Sequence, residues 1–108
     1  LFFLLFTTLI YADILTKLEQ PAIIKGDDAI LTITALGKNI ETPQVNQICN
    51  SPAQLISTEN FFNSINGNIN QGKKFHFSFR PEANCTIQTI PVVINGRIEN
   101  TQPLKVIV

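Results

Sequence analysis

Apolar and polar side chains alternate with a period of two along most of the chain after its first twelve residues. The clearest case is Lys73–Arg80, where three phenylalanines share one face, and Ala29–Leu36 and Leu104–Val108 alternate in the same way. This period predicts antiparallel strands with one packed face and one wet face. Further strands are predicted at Ile14–Glu19, Gln54–Thr58, Phe61–Ile65 and Thr86–Ile94.

Turn residues separate these runs. Asn66-Gly67 and Asn95-Gly96 predict two-residue hairpins, because both central residues of a type I′ turn need a positive φ. Lys25–Asp28 predicts the turn between the first two strands, and Pro91 predicts an edge position or a bend within its strand. No later stretch shows the apolar spacing of a helix. We therefore expect an all-β fold, an immunoglobulin-like antiparallel β-sandwich of about seven strands.

The first residues, Leu1–Ala12, are almost continuously apolar and are followed by the polar Asp13. Such a run covers only about half of a bilayer core. It fits the apolar part of a secretory signal clipped at its N-terminus, with Ala12 at the cleavage point. The alternative is a buried strand that is covered on both faces. The signal interpretation predicts a single exported domain, Asp13–Val108, in the periplasm or another extracytoplasmic space.

The chain has two cysteines, Cys49 and Cys85. In an oxidising compartment such a pair is expected to form a disulfide, and closing a loop of about 36 residues stabilises a fold by roughly 3–4 kcal/mol in the chain-entropy account. The alternative is two unpaired thiols that behave as small buried apolar groups. Two cysteines and one distant histidine do not make a closed zinc site, so we expect no metal.

Charge and motif content argue against several classes of function. The formal net charge is zero, which disfavours nucleic acid as a partner. The sequence has no glycine-rich phosphate loop, Gly-x-Ser-x-Gly elbow or histidine-rich metal spacing. Asp27 and Asp28 follow Gly26 and are expected to be turn residues bonded to nearby backbone. We therefore expect a protein that is not an enzyme and has no cofactor or small-molecule substrate.

A small polar stripe is predicted on the wet face of the phenylalanine strand. It consists of Lys74, His76, Ser78 and Arg80. His76 is the single histidine, has no catalytic partner at useful spacing, and is expected to be a solvated strand residue. The stripe is a candidate interaction face, and the alternative is that it only keeps the sheet soluble.

Asn84 opens the tripeptide Asn84-Cys85-Thr86, an acceptor pattern for N-glycosylation. Glu82, two residues earlier, matches the extended form of the pattern that some bacterial oligosaccharyltransferases use. The tripeptide lies in a predicted surface turn, which suits attachment of a glycan. Asn84 is thus a candidate glycosylation site, and the alternative is a chance match.

The order of the motifs resembles a known family. Ile24-Lys25-Gly26-Asp27 leads into Ala29–Leu36, the aromatic strand Phe75–Pro81 ends in a proline, and Thr86–Val108 reads TIQTIPVVINGRIENTQPLKVIV. In this order they resemble the N-terminal repeat domain of the BatD (aerotolerance, oxygen-tolerance) proteins. The resemblance implies a periplasmic protein that works beside MoxR-type ATPases and von Willebrand A-domain partners. It implies a membrane tether only if the chain continues past Val108.

Three functions remain open from the sequence. The first is a non-catalytic interaction and scaffold module that resembles BatD and acts in envelope stress or oxygen tolerance. The second is a structural subunit or stalk domain of a surface fibre or adhesin. The third is a thiol-exchange protein that uses Cys49 and Cys85, although these lack the close Cys-x-x-Cys spacing of such proteins.

Overall fold

β-Strands form the regular structure of the part of the chain that the structure describes. The structure is a computed structural model and describes residues 14–65 and 67–108; the predicted signal segment, Leu1–Ala12, lies outside this part. The strands are β1 (Ile14–Leu18), β2 (Ala29–Leu36), β3 (Gln47–Ile48), β4 (Ser51–Pro52), β5 (Gln54–Ile65), β6 (Asn68–Phe79), β7 (Cys85–Ile87), β8 (Pro91–Ile94), β9 (Arg97–Asn100) and β10 (Leu104–Val106). The described residues include no helix long and apolar enough to cross a membrane.

One antiparallel sheet of four strands forms the larger layer, in the order β1-β2-β6-β5. It matches the A-B-E-D sheet of immunoglobulin-like domains. The register pairs Leu31 with Phe77 and Ile33 with Phe75, so the apolar positions of neighbouring strands share one face. Phe75, Phe77 and Phe79 are each at most 2% exposed. The alternation predicted for these strands is confirmed.

The second layer is built mainly from the last third of the chain. β8 pairs with β9, β7 pairs with β10, and an isolated bridge joins Ile40 to Ile94. Val92, Ile94 and Val106 are buried in the same core cluster as the three phenylalanines. Apolar side chains therefore pack between the two layers, and the predicted all-β sandwich is confirmed.

The predicted strand Thr86–Ile94 is divided where Pro91 interrupts it. β7 ends before Pro91 and β8 begins with it, yet β7–β10 and β8–β9 keep the same antiparallel register. Thr101 holds the gap closed: its backbone N–H donates to Ile90 O at 3.0 Å, and its Oγ1 accepts from Ile90 N at 2.7 Å. The two pairs therefore act as one long bent hairpin, and the segment count exceeds the predicted seven strands partly for this reason.

Three tight two-residue turns join neighbouring strands, and two of them have a positive φ at both central residues. Asn95 and Gly96 have φ values of 52° and 79°, which confirms that predicted turn. Ile65 pairs with Asn68, so the other predicted hairpin also has a two-residue loop, and Gly67 has φ 80°. The third turn, Cys49-Asn50 between β3 and β4, was not predicted.

Candidate functional site

The outer face of the four-stranded sheet carries a chain of hydrogen-bonded polar side chains. His76 Nε2 donates to Glu59 Oε2 at 2.7 Å, and His76 Nδ1 lies 2.9 Å from Thr32 Oγ1. The Thr32 hydroxyl donates to Glu19 Oε2 at 3.1 Å. The chain therefore crosses the sheet from the end of β1 to β5. We call these four residues the polar ladder.

His76 is not the solvated strand residue that we expected, and that expectation is wrong. Only 15% of its side-chain surface is exposed, although Glu59 remains 60% exposed. Thr32 Oγ1 lies within hydrogen-bond distance of both His76 Nδ1 and Glu19 Oε2. The four side chains of the ladder therefore tie together neighbouring strands of the sheet.

The ladder contains a hydroxyl, an imidazole and a carboxylate in series, as a hydrolase triad does. A triad also needs free backbone N–H groups beside the hydroxyl to stabilise an oxyanion. Thr32 lies inside β2, which is paired on both sides, and only 8% of it is exposed. Within the described residues, the backbone around Thr32 is engaged in strand pairing on both sides, and the ladder ties the sheet together there.

Replacing Thr32 by valine should test the ladder, because valine keeps the shape and removes the hydroxyl. We expect a loss of about 1–2 kcal/mol in the free energy of unfolding, since Glu19 and His76 both lose a partner. Thr34→Val is the matched control, as Thr34 is half-buried on the same face of β2 and has no side-chain hydrogen bond among the described residues. Equal midpoints for the two variants in guanidinium unfolding would contradict the role given to the ladder.

The predicted interaction stripe is only partly a continuous surface. Lys74 lies on the outer face with its Nζ 5.9 Å from the centre of the Phe61 ring, and Ser78 is half-buried. Arg80 follows the end of β6 and donates from Nε to Asp28 Oδ1 at 3.0 Å. Asp28 therefore bonds to an arginine rather than to nearby backbone, which corrects the expectation for its side chain.

Arg80 and Asp28 belong to a cleft of about 750 Å³ beside the disulfide. Ser51 is the buried polar side chain of this cleft, and its Oγ already accepts from Arg80 N at 2.9 Å. The Ser51 hydroxyl is thus already used within the fold. Among residues 14–65 and 67–108, no three His, Cys, Asp or Glu side chains are grouped so that they could hold a metal ion.

The predicted disulfide between Cys49 and Cys85 is present, with 5.9 Å between the Cα atoms. Cys49 has φ 54°, a left-handed conformation that a residue with a Cβ adopts at a cost of about 1–2 kcal/mol. The bond fastens the β3–β4 turn to the start of β7. A disulfide here is compatible with an oxidising compartment outside the cytoplasm.

Strand β5 forms an open edge of the sheet. The sequence predicted two strands, but the structure has one strand, Gln54–Ile65, that pairs with β6 and, within the described part of the chain, with nothing on its other side. A β-bulge between Leu55 and Ser57 interrupts the register. β5 contains neither proline nor lysine, residues with which proteins commonly protect such edges.

The β5–β6 hairpin also extends beyond the rest of the sheet. β2 ends at Leu36, which pairs with Gly72, and the Gly37 N–H donates to Gln71 O at 3.0 Å, so residues 62–65 and 68–70 pair only within the hairpin. We call residues 62–65 and 67–71 the arm, which at about 3.4 Å per residue projects by roughly 15 Å. Phe62 lies on the arm, where β2 no longer flanks β6, and 62% of it is exposed.

A groove of about 320 Å³ lies where the arm leaves the sheet. Phe61 and Phe62 provide aromatic surface in it, and Lys38 and Lys73 provide positive charge. The described residues that line it include no carboxylate. The sequence alone does not show this groove, because Lys38 is distant in sequence and only the pairing register brings it to the arm.

The chain matches no protein-family model, no curated protein and no solved structure.

Proposed function

We propose that this domain is a non-catalytic protein-binding module that works in the periplasm. The observation that carries the proposal is the exposed edge of β5 continued by the arm and its groove. An extended segment of a partner would add to β5 as a further strand, with main-chain hydrogen bonds supplying affinity and the groove supplying selectivity. The resemblance to BatD proteins supports a role beside von Willebrand A-domain partners and MoxR-type ATPases.

The chemistry of the groove indicates which segments would bind. Phe62 offers a large apolar surface, and exposed aromatic residues are common anchors of binding surfaces. Lys38 and Lys73 favour a carboxylate on the incoming segment. The proposed ligand is therefore an extended segment that carries at least one apolar and one acidic side chain.

Replacing Phe62 by serine tests this proposal. We expect the affinity for a von Willebrand A-domain partner, measured by isothermal titration calorimetry, to fall at least about tenfold, because an aromatic anchor is lost. Stability should change by less than about 0.5 kcal/mol, since Phe62 is exposed in the free protein. Unchanged affinity would count against the arm as the binding surface.

Ile98→Ser is the matched control for this experiment. Ile98 is 66% exposed, and it lies on β9 in the other layer of the sandwich. The substitution removes a similar amount of apolar surface and should leave binding unchanged.

Lys38→Glu should weaken binding, and the loss of affinity should shrink at high salt because the contact is electrostatic.

A fibre or adhesin subunit is the second candidate, and the same open edge favours it. A second copy of the chain could pair along β5 in place of a different partner. Analytical ultracentrifugation distinguishes the two functions. Concentration-dependent assembly that Phe62→Ser abolishes would favour the fibre subunit, whereas a monomer that binds its partner favours the scaffold module.

A further inference from the structure

The segment between β6 and β7 presents a modification site in an accessible form. We propose that Asn84 accepts an N-linked glycan from a lipid-linked oligosaccharide, in a reaction catalysed by a bacterial oligosaccharyltransferase. Among the eleven asparagines of the sequence, Asn84 alone is followed by the required pattern, with Thr86 two residues later. Glu82 supplies the acidic residue of the extended pattern. The inference rests on the extracytoplasmic location within the proposed function.

The residues of the extended acceptor pattern are exposed to solvent. Glu82, Asn84 and Thr86 are all exposed. Asn84 Oδ1 accepts from the backbone N–H of Val108 at 2.8 Å, which fixes the side-chain amide. Its Nδ2 has no hydrogen-bond partner among the described residues, so the atom that would carry the sugar remains free.

The proposed step exchanges one bond for another. Asn84 Nδ2 forms a bond to C1 of the first sugar, and the bond from C1 to the diphosphate of the lipid carrier breaks. The diphosphate leaves with the bonding electrons, and the amide proton passes to a base of the transferase. No oxidant or reductant is needed.

The glycan would lie away from the groove at the base of the arm. β6 runs for seven residues from Gly72, in the groove, to Phe79, a length of about 24 Å, and Asn84 follows its far end. A glycan at Asn84 should therefore leave the contacts of a partner with the groove unchanged. Modification and binding can be tested separately for this reason.

The disulfide should limit how readily the site is modified. Cys85 is the middle residue of the acceptor pattern, and it is bonded to Cys49 in the β3–β4 turn. The backbone of the pattern is thus held at the start of β7, and a transferase would have to bind it in that shape. Cys49→Ser releases the pattern without changing it, so we expect this variant to carry more glycan than the native sequence.

The test exports the chain, by a secretion signal of the host, into the periplasm of bacteria that contain an oligosaccharyltransferase and its lipid-linked glycan. Intact-mass spectrometry should show a fraction of the protein heavier by one glycan. Asn84→Gln and Thr86→Val should abolish this fraction. Glu82→Ala should lower it at least tenfold if the transferase requires the acidic residue of the extended pattern. The matched control, Asn100→Gln, should leave it unchanged.

Two outcomes separate this inference from the proposed function. If neither the exported native sequence nor Cys49→Ser gains mass, the glycosylation site is refuted, whatever the protein binds. If the protein is glycosylated but Phe62→Ser binds partners normally, the site stands and the binding surface is wrong. If a thiol reagent does not label the native protein, its disulfide has formed, and the sample therefore came from the oxidising compartment.

Discussion

Gly72→Ala should destabilise the domain by about 3 kcal/mol and lower its Tm by roughly 15 °C. A Cβ at this position would overlap the carbonyl oxygen of Ala35 and would approach Phe61 Cζ to 2.9 Å. The Phe61 ring can move, but the carbonyl of Ala35 belongs to β2, and moving it disrupts the pairing of β2 with β6. Thermal unfolding followed by circular dichroism measures the loss.

The control for this variant is Gly26→Ala, at a position where a Cβ would meet no atom within 4 Å. Gly26 has φ 95°, so alanine is strained there and should cost about 1 kcal/mol. Combining Gly72→Ala with Phe61→Leu should restore only a small part of the stability, because the overlap with the backbone remains. A fully restored double variant would show that the ring, and not the carbonyl, limits the space.

Removing the disulfide should be the other large effect. The variant C49S/C85S should lose about 3–4 kcal/mol of unfolding free energy, because the unfolded chain regains the freedom of a loop closed across 36 residues. For a domain of this size that is a large share of the total stability. Urea unfolding at neutral pH measures the change in midpoint.

Two comparisons distinguish the loss of the crosslink from the change in side-chain chemistry. The native protein in reductant should unfold at nearly the same urea concentration as C49S/C85S in buffer. The single variant Cys49→Ser should behave like the double variant, since either change breaks the bond. A native midpoint that reductant leaves unchanged would contradict the stabilising role of the disulfide.

The packed half of the fold could be predicted from the sequence. Phe75, Phe77 and Phe79 alternate with polar residues, and that alternation predicts a strand there and its buried face, although the strand begins earlier, at Asn68. The two Asn-Gly hairpins were equally clear because their chemistry is local. The Cys49-Asn50 turn was not predicted, since cysteine is rarely found at positive φ and a distant disulfide supports it.

The edge strand and the polar ladder were harder to predict, for a shared physical reason. β5 is exposed along most of its length, so nothing selects alternation there, and Glu59-Asn60 looked like a break between two strands. Glu19, Thr32 and His76 come together only through the register of three strands. Periodicity shows which face a residue lies on, but it does not show which residue lies beside it.

The bulge next to Ile56 sets a limit on what β5 can bind. An incoming backbone that follows the edge from the hairpin loop finds regular spacing from Ile65 back to Ser57 and an extra residue after that. Continuing past this point would turn its side chains to the opposite face. Recognition by this edge is therefore confined to a short linear stretch of about nine residues, so a peptide of that length should compete as well as a whole partner strand.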